Sequence, residues 1–155
     1  MAADVVIDHP NRETAAARVT RAAVLALLLL SAALMIVVSA GGWPLIEGAK
    51  PLQVAFVVAY LGMAVMVARW RRGVLPVAAA LAVLLLIFAA VAAPGWYARD
   101  RPGFAEPAIA AGVLGLLTAL LVPLQVLLAA VALSGFRQRW NVEVERPAPG
   151  VAAPA

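Results

Sequence analysis

Four long stretches without a charged side chain, separated by short polar or turn-rich segments, organise this chain from end to end. The uncharged runs cover residues 22–43, 52–68, 74–93 and 108–136. A helix rises 1.5 Å per residue, so about 20 residues cross a hydrocarbon core of about 30 Å. The runs at 22–43 and 74–93 meet that length directly. The second, 52–68, is short, and snorkelling of Lys50 and Arg69 lengthens it. The fourth is long enough to tilt or to extend past a membrane. The pattern predicts an all-α fold, an integral membrane four-helix bundle. A polar N-terminal tail occupies 1–21 and a C-terminal tail 137–155, the latter ending in a low-complexity PAPGVAAPA segment expected to be disordered.

The connections carry turn chemistry. GGWPLIEGAKP over 41–51 holds two prolines and three glycines, Arg69 to Gly73 forms a tight basic hairpin, and PGWYARDRPGFAEP over 94–107 reads as the third loop. Connections this short favour sequential antiparallel neighbours. The run beginning at Ala22 is preceded by Arg18 and Arg21 and carries small residues at Ser39 and Ala40 near its end, a pattern reminiscent of a signal peptide. Its length exceeds the usual apolar core of such a peptide, and the reading here is a retained span.

Composition confirms that the apolar surface must face lipid. Hydrophobic residues make up 65% and charged residues 13% of 155, too few polar side chains to cover a globule of this size. The net charge of +4 does not mark a nucleic-acid binder, because the charges sit in clusters beside the apolar runs. The two tails and the 69–73 hairpin carry nine Lys and Arg residues against three on the other side, namely Lys50, Arg99 and Arg101. The positive-inside rule then places both termini in the cytoplasm. All four tryptophans, Trp43, Trp70, Trp96 and Trp140, fall at span ends, where an amphipathic ring prefers to sit. Eleven arginines against one lysine, with abundant alanine, resemble a bacterial chain encoded in GC-rich DNA, hence a cell membrane location.

Candidate chemistry is sparse. Cysteine is absent, which excludes disulfides, thiolate metal sites and thiol nucleophiles. No Asp, Glu, Lys, Arg or His lies inside a span, and the one histidine, His9, is in the N-terminal tail. A proton-coupled exporter needs a membrane carboxylate and a buried haem wants axial histidines, so no catalytic residue, metal or cofactor is expected. The nearest intramembrane polar site is in the fourth run, where Thr118 and Gln125 flank Pro123. Proline frees a carbonyl one turn earlier and should kink the helix. The expectation is a glutamine bonded to a neighbouring helix, and the functional alternative is a substrate or ion contact at a broken helix. Small residues at spacing four, Ala108 with Gly112 and Ala111 with Gly115 and Ala119, let another helix approach closely, within the chain or between chains.

Outside the spans, Trp96, Tyr97, Arg99, Asp100 and Arg101 form the densest group of recognition-type residues. They read as an interfacial anchor with a solvated ion pair, or else as a grip on a lipid headgroup or a partner's carboxylate. Each tail carries a short valine-rich alternation before a proline, at 4–8 and 141–145. The plain reading is two flexible tails. They could instead pair with each other or add to a partner's sheet, or Asp8 could cap a helix through Asn11 to Arg21.

Four spans in a chain of this length resemble, in architecture alone, small multidrug exporters, glutathione-metabolising membrane enzymes, quinone-reducing thiol enzymes and accessory subunits of respiratory oxidases. The first three need a membrane carboxylate, intrahelical polar residues or cysteine pairs that are not found in these runs. Elimination leaves a non-catalytic accessory or scaffold subunit, with the lipid bilayer and a membrane-protein partner or second copy as its contacts. A small oligomeric channel or transporter, with Thr118 to Gln125 lining a path, is the alternative. An enzyme acting on headgroups through the 99–101 triplet lacks convergent acids, bases or nucleophiles.

Overall fold

The computed structural model describes residues 5–147. A strand β1 (Val5–Asp8) leads into a one-turn helix α1 (Pro10–Glu13), and four long helices follow: α2 (Ala15–Gly42), α3 (Lys50–Ala68), α4 (Val74–Arg99) and α5 (Ala111–Arg137). Strand β2 (Val144–Pro147) closes the described chain. All four long helices are long and apolar enough to cross a membrane. Asp4 and the tail over 148–155, for which disorder was expected, lie outside the described residues.

The helices outrun the uncharged stretches. α2 begins seven residues before Ala22, at Ala15, and its cap is Thr14 rather than Asp8. Thr14 Oγ1 accepts from the Ala17 amide at 3.2 Å, satisfying one of the four amides a helix start leaves unpaired. α4 continues through Pro94 to Arg99, so Trp96, Tyr97 and Arg99 stand on its last turns and not in a loop. α5 runs unbroken through Pro123.

The helices alternate in direction, giving the bundle a tail end, where both tails and the 69–73 hairpin meet, and a far end carrying the 43–49 and 100–110 connections. α4 and α5 pack most intimately, α2 lies against both α5 and α3, and α3 and α4 touch least of the consecutive helices although the tightest hairpin joins them. Side-chain size decides this. The buried face of α4 includes Ala78, Ala79, Ala82, Ala89 and Ala93, and that of α5 includes Ala111, Gly115, Ala132 and Gly135, so the two backbones can approach closely between their larger side chains. α3 presents Phe56, which meets Phe88 of α4 edge-on with ring centres 5.9 Å apart and holds the helices apart.

At the tail end the two strands pair antiparallel, Val6 with Arg146 and Ile7 with Glu145. This corrects the reading of two flexible tails. Arg146 Nε stands 3.0 Å from Asp8 Oδ2, and His9 Nε2 stands 3.4 Å from Glu143. A two-stranded ribbon is marginal alone, and here its roots are tied down: Asn11 Nδ2 donates to the Arg139 carbonyl at 3.0 Å and Arg12 Nε to that of Trp140 at 2.9 Å.

The same end is stitched by arginines bonded to helix-terminal carbonyls. α3 ends with Trp70 in the left-handed region at φ 58°, the Arg71 amide reaching back to Met66 O at 3.0 Å and the Trp70 amide to Val67 O at 3.0 Å. Glycine usually takes that position, since a side chain there is strained. Arg21 of α2 secures it, stacking over the Trp70 ring at 4.6 Å and donating to Val67 O and Ala68 O. Arg72 does the same for α5, with Nε donating to Phe136 O at 2.7 Å. A cation at a helix C-terminus satisfies carbonyls that have no partner in their own helix. The basic residues that bias topology thus also hold this end together.

Candidate functional site

Three polar side chains of the bundle interior form one chain of hydrogen bonds. Tyr60 of α3 donates its hydroxyl to Gln125 Oε1 of α5 at 2.7 Å. Gln125 Nε2 donates to Ser31 Oγ of α2 at 2.9 Å, and Ser31 donates to its own Leu27 carbonyl at 2.7 Å. Tyr60, Gln125 and Ser31 are all fully buried. Three helices are joined at one depth by a side chain with both a donor and an acceptor end. Every buried side-chain nitrogen and oxygen among the described residues has a partner. The arrangement ties α2, α3 and α5 together and leaves none of its own donors or acceptors unpaired.

Thr118 and Pro123 do not join it. Thr118 Oγ1 turns back to Leu114 O at 2.7 Å, and Pro123 faces outward on the exposed side of α5. The carbonyl that Pro123 deprives of a donor belongs to Ala119, which Thr118 does not reach. Of the three polar candidates in the fourth run, only Gln125 bonds another helix. Its partners Ser31 and Tyr60 carry no signal of their own in the sequence, lying singly within the apolar runs.

The small-residue stripe is used inside the chain. A Cβ built on Gly115 would stand 3.0 Å from the Tyr97 ring of α4, and one on Gly112 only 2.6 Å from Asp100 Oδ2. Ala111 is buried beside them, while Ala119 is half-buried. Compared with known families, with characterised proteins and with solved structures, this chain matches none.

At the far end the recognition-type residues separate. Trp96 is buried, its ring against α2 where a Cβ on Gly42 would fall 2.3 Å from it. Tyr97 covers Gly115 with its other side exposed. Arg99, Asp100 and Arg101 are exposed, and neither arginine has a carboxylate within salt-bridge reach among the described residues. The expected solvated ion pair is therefore not formed. Residues 99–107 with Ala110 and Ala111 border an open depression of about 600 Å³. Asp100 instead comes over the first turn of α5, where the unpaired amides favour an anion.

Of the four tryptophans at span ends, only Trp43 has an anchor's exposure; it is 43% exposed with Lys50 Nζ 5.1 Å from the ring centre. Trp70 is half-buried, and Trp96 and Trp140 point inward as packing elements. A second, smaller cavity of about 240 Å³ lies among the four long helices, walled by Met35, Phe56, Leu85, Trp96 and Leu121, with Thr118 and Gln53 at its edges.

The hydrogen-bond lock makes a prediction. Gln125→Leu strands the Tyr60 hydroxyl without an acceptor, and detergent-solubilised protein should lose about 1–2 kcal/mol of stability. Adding Tyr60→Phe to that variant removes the stranded group and should recover part of the loss. Strictly additive losses in SDS-titration unfolding would show the two residues to be uncoupled.

Proposed function

We propose that this chain is a multi-pass protein of a bacterial cytoplasmic membrane, with both termini in the cytoplasm, acting as a non-catalytic accessory or scaffold subunit. One observation carries the reading: every buried polar side chain among the described residues already has a partner, Ser31, Gln125 and Tyr60 in one another and Thr118 in the carbonyl of Leu114. A transporter requires polar groups that a substrate can engage at mid-membrane, and an enzyme requires an acid, base or nucleophile free to act. What the chain offers outward is apolar helix surface and, at the far end, Arg99 at the close of α4 with Arg101 and Phe104 of the exposed loop that follows. The cytoplasmic assignment of the termini is supported by the nine-to-three distribution of Lys and Arg.

The competing reading, a small oligomeric channel or transporter, is favoured by the 240 Å³ cavity beside Thr118. That cavity falls below the roughly 300 Å³ at which ligand pockets usually begin, and its walls are apolar. The two readings separate in one purification. A C-terminally tagged copy taken from its native membrane in mild detergent should retain a stoichiometric membrane-protein partner through washing, identified by mass spectrometry. The same protein reconstituted alone should pass no ion or solute across liposomes. Recovery without a partner, together with flux, would overturn the subunit reading.

A further inference from the structure

We propose that the gap between α3 and α4 at the tail end is a binding groove for one anionic phospholipid. The gap is a cleft of about 1170 Å³, above the roughly 300–1,000 Å³ of an ordinary small-molecule pocket. It exists because Phe56 and Phe88 prop the two helices apart lower down while nothing fills the space toward the hairpin.

The groove has two ends of opposite chemistry. Its mouth carries Arg12, Arg69, Arg71 and Arg72, and no Asp or Glu lines it anywhere. Arg12 and Arg72 are held in place by the carbonyls and by Asn141, which Arg72 Nη1 reaches at 3.0 Å. Arg69 and Arg71 are exposed, and their guanidinium groups have no hydrogen-bond or ion-pair partner among the described residues. Below the mouth the walls are Gly62, Met63 and Met66 of α3 and Val77 and Leu81 of α4. Two unengaged guanidinium groups beside two fixed ones suit a phosphate, which arginine binds in paired fashion, and the walls below suit an acyl chain.

Depth selects a lipid over a helix from another protein. The groove descends α3 from Arg69 to Ala59 and α4 from Gly73 to Leu81. At 1.5 Å per residue this is about 12–15 Å, half of the roughly 30 Å hydrocarbon core and therefore one leaflet. A partner helix would need a seam running the full thickness. The mouth also coincides with the end assigned to the cytoplasm, where anionic lipids concentrate.

The site rests on membrane insertion and not on the subunit role, so loss of a partner in the purification above would leave it standing. The test is native mass spectrometry of the full chain in detergent, titrated with phosphatidylglycerol and phosphatidylcholine in equal amounts. The wild type should hold one phosphatidylglycerol in preference to phosphatidylcholine. The double variant Arg69→Gln/Arg71→Gln should lose that preference, by about fivefold per arginine and roughly 30-fold for the pair. Neither side chain bonds to the fold, so the variant should unfold as the wild type does. Removing two exposed arginines at the same end outside the groove, Arg18→Gln/Arg137→Gln, should leave the preference in place. Gly62→Trp plugs the slot from a position whose added Cβ meets nothing within 4 Å, and should displace the lipid with all arginines intact. Glycerol phosphate, the headgroup without chains, should not form a lasting adduct. Equal retention of the two lipids by the wild type, an unchanged preference in the groove variant, an equal loss in the control variant, retained lipid in Gly62→Trp, or equal binding of glycerol phosphate would each overturn the proposal.

Discussion

Trp140→Ala should be the most damaging single substitution outside the long helices, costing about 3–5 kcal/mol as a large aromatic removed from a filled site. Trp140 is 0% exposed although it lies three residues beyond the end of α5. Its ring meets Trp70 edge-on at 5.3 Å, lies 3.2 Å from where a Gly135 Cβ would be, and its Nε1 donates to Gln138 Oε1 at 2.9 Å. Gln138 in turn donates to Thr20 at 2.8 Å, so the indole anchors a chain leading to α2. Removing it opens a cavity beneath the strained Trp70 turn and frees the root of the strand ribbon together. In a domain of this size the loss corresponds to roughly 10 °C in the unfolding midpoint. Trp43→Ala is the matched control: that ring is 43% exposed, and its loss should change stability by no more than about 0.5 kcal/mol. Similar midpoints for the two variants in detergent would contradict the inward role of Trp140.

Gly42→Leu should rank second, at about 1–3 kcal/mol of overpacking. Here the mechanism is collision. Even the first carbon added at Gly42 would fall 2.3 Å from Trp96 Cη2, and at the neighbouring Gly41 2.7 Å from the Ile109 side chain. The Gly41 carbonyl accepts from the Ala108 amide at 2.9 Å, so the backbone after α4 is bound to the end of α2 and cannot easily retreat. Gly62 supplies the contrast, since an added Cβ there meets nothing. Gly62→Ala in the interior of α3 should stabilise by up to about 1 kcal/mol through helix propensity alone. If both glycines respond alike in thermal unfolding, close helix approach at the far end is not what Gly42 provides.

The positions of the spans were legible because an uncharged run of about 20 residues has few alternatives in physics. The ends of the helices were not. Helices continue beyond the hydrocarbon wherever tertiary packing extends, and Trp96 on Gly42 carries α4 through Pro94, a residue that normally signals a stop. Tryptophan at a span end was read as a lipid anchor, yet position along a helix does not give its rotation, and Trp96 and Trp140 face inward. Nor does a tight hairpin ensure packing. α3 and α4 part because bulky Phe56 and Phe88 face each other, while the alanines of α4 meet the glycines and alanines of α5.

The polar lock was half legible. Gln125 stood out, but its partners Ser31 and Tyr60 are unremarkable in composition. Register arithmetic would have found them. Ser31 lies ten residues beyond Arg21, Tyr60 nine before Arg69 and Gln125 twelve before Arg137, counted from basic residues at one end of antiparallel helices. At 1.5 Å per residue all three fall about 14–18 Å deep. Polar side chains at one depth on three helices are placed to bond one another across the interfaces.

Closure of this core is the claim on which the functional reading stands, and the chain's lack of cysteine makes it directly measurable. Single variants Ser31→Cys and Thr118→Cys place a thiol inside the bundle, and Glu13→Cys and Phe104→Cys place one on exposed surface at its two ends. In sealed membrane vesicles treated with a membrane-impermeant maleimide, the two end positions should react from opposite sides, and the two core positions should stay unmodified until the protein is denatured. Rapid labelling of Ser31→Cys or Thr118→Cys in the folded protein would reveal water at mid-membrane and contradict the sealed bundle.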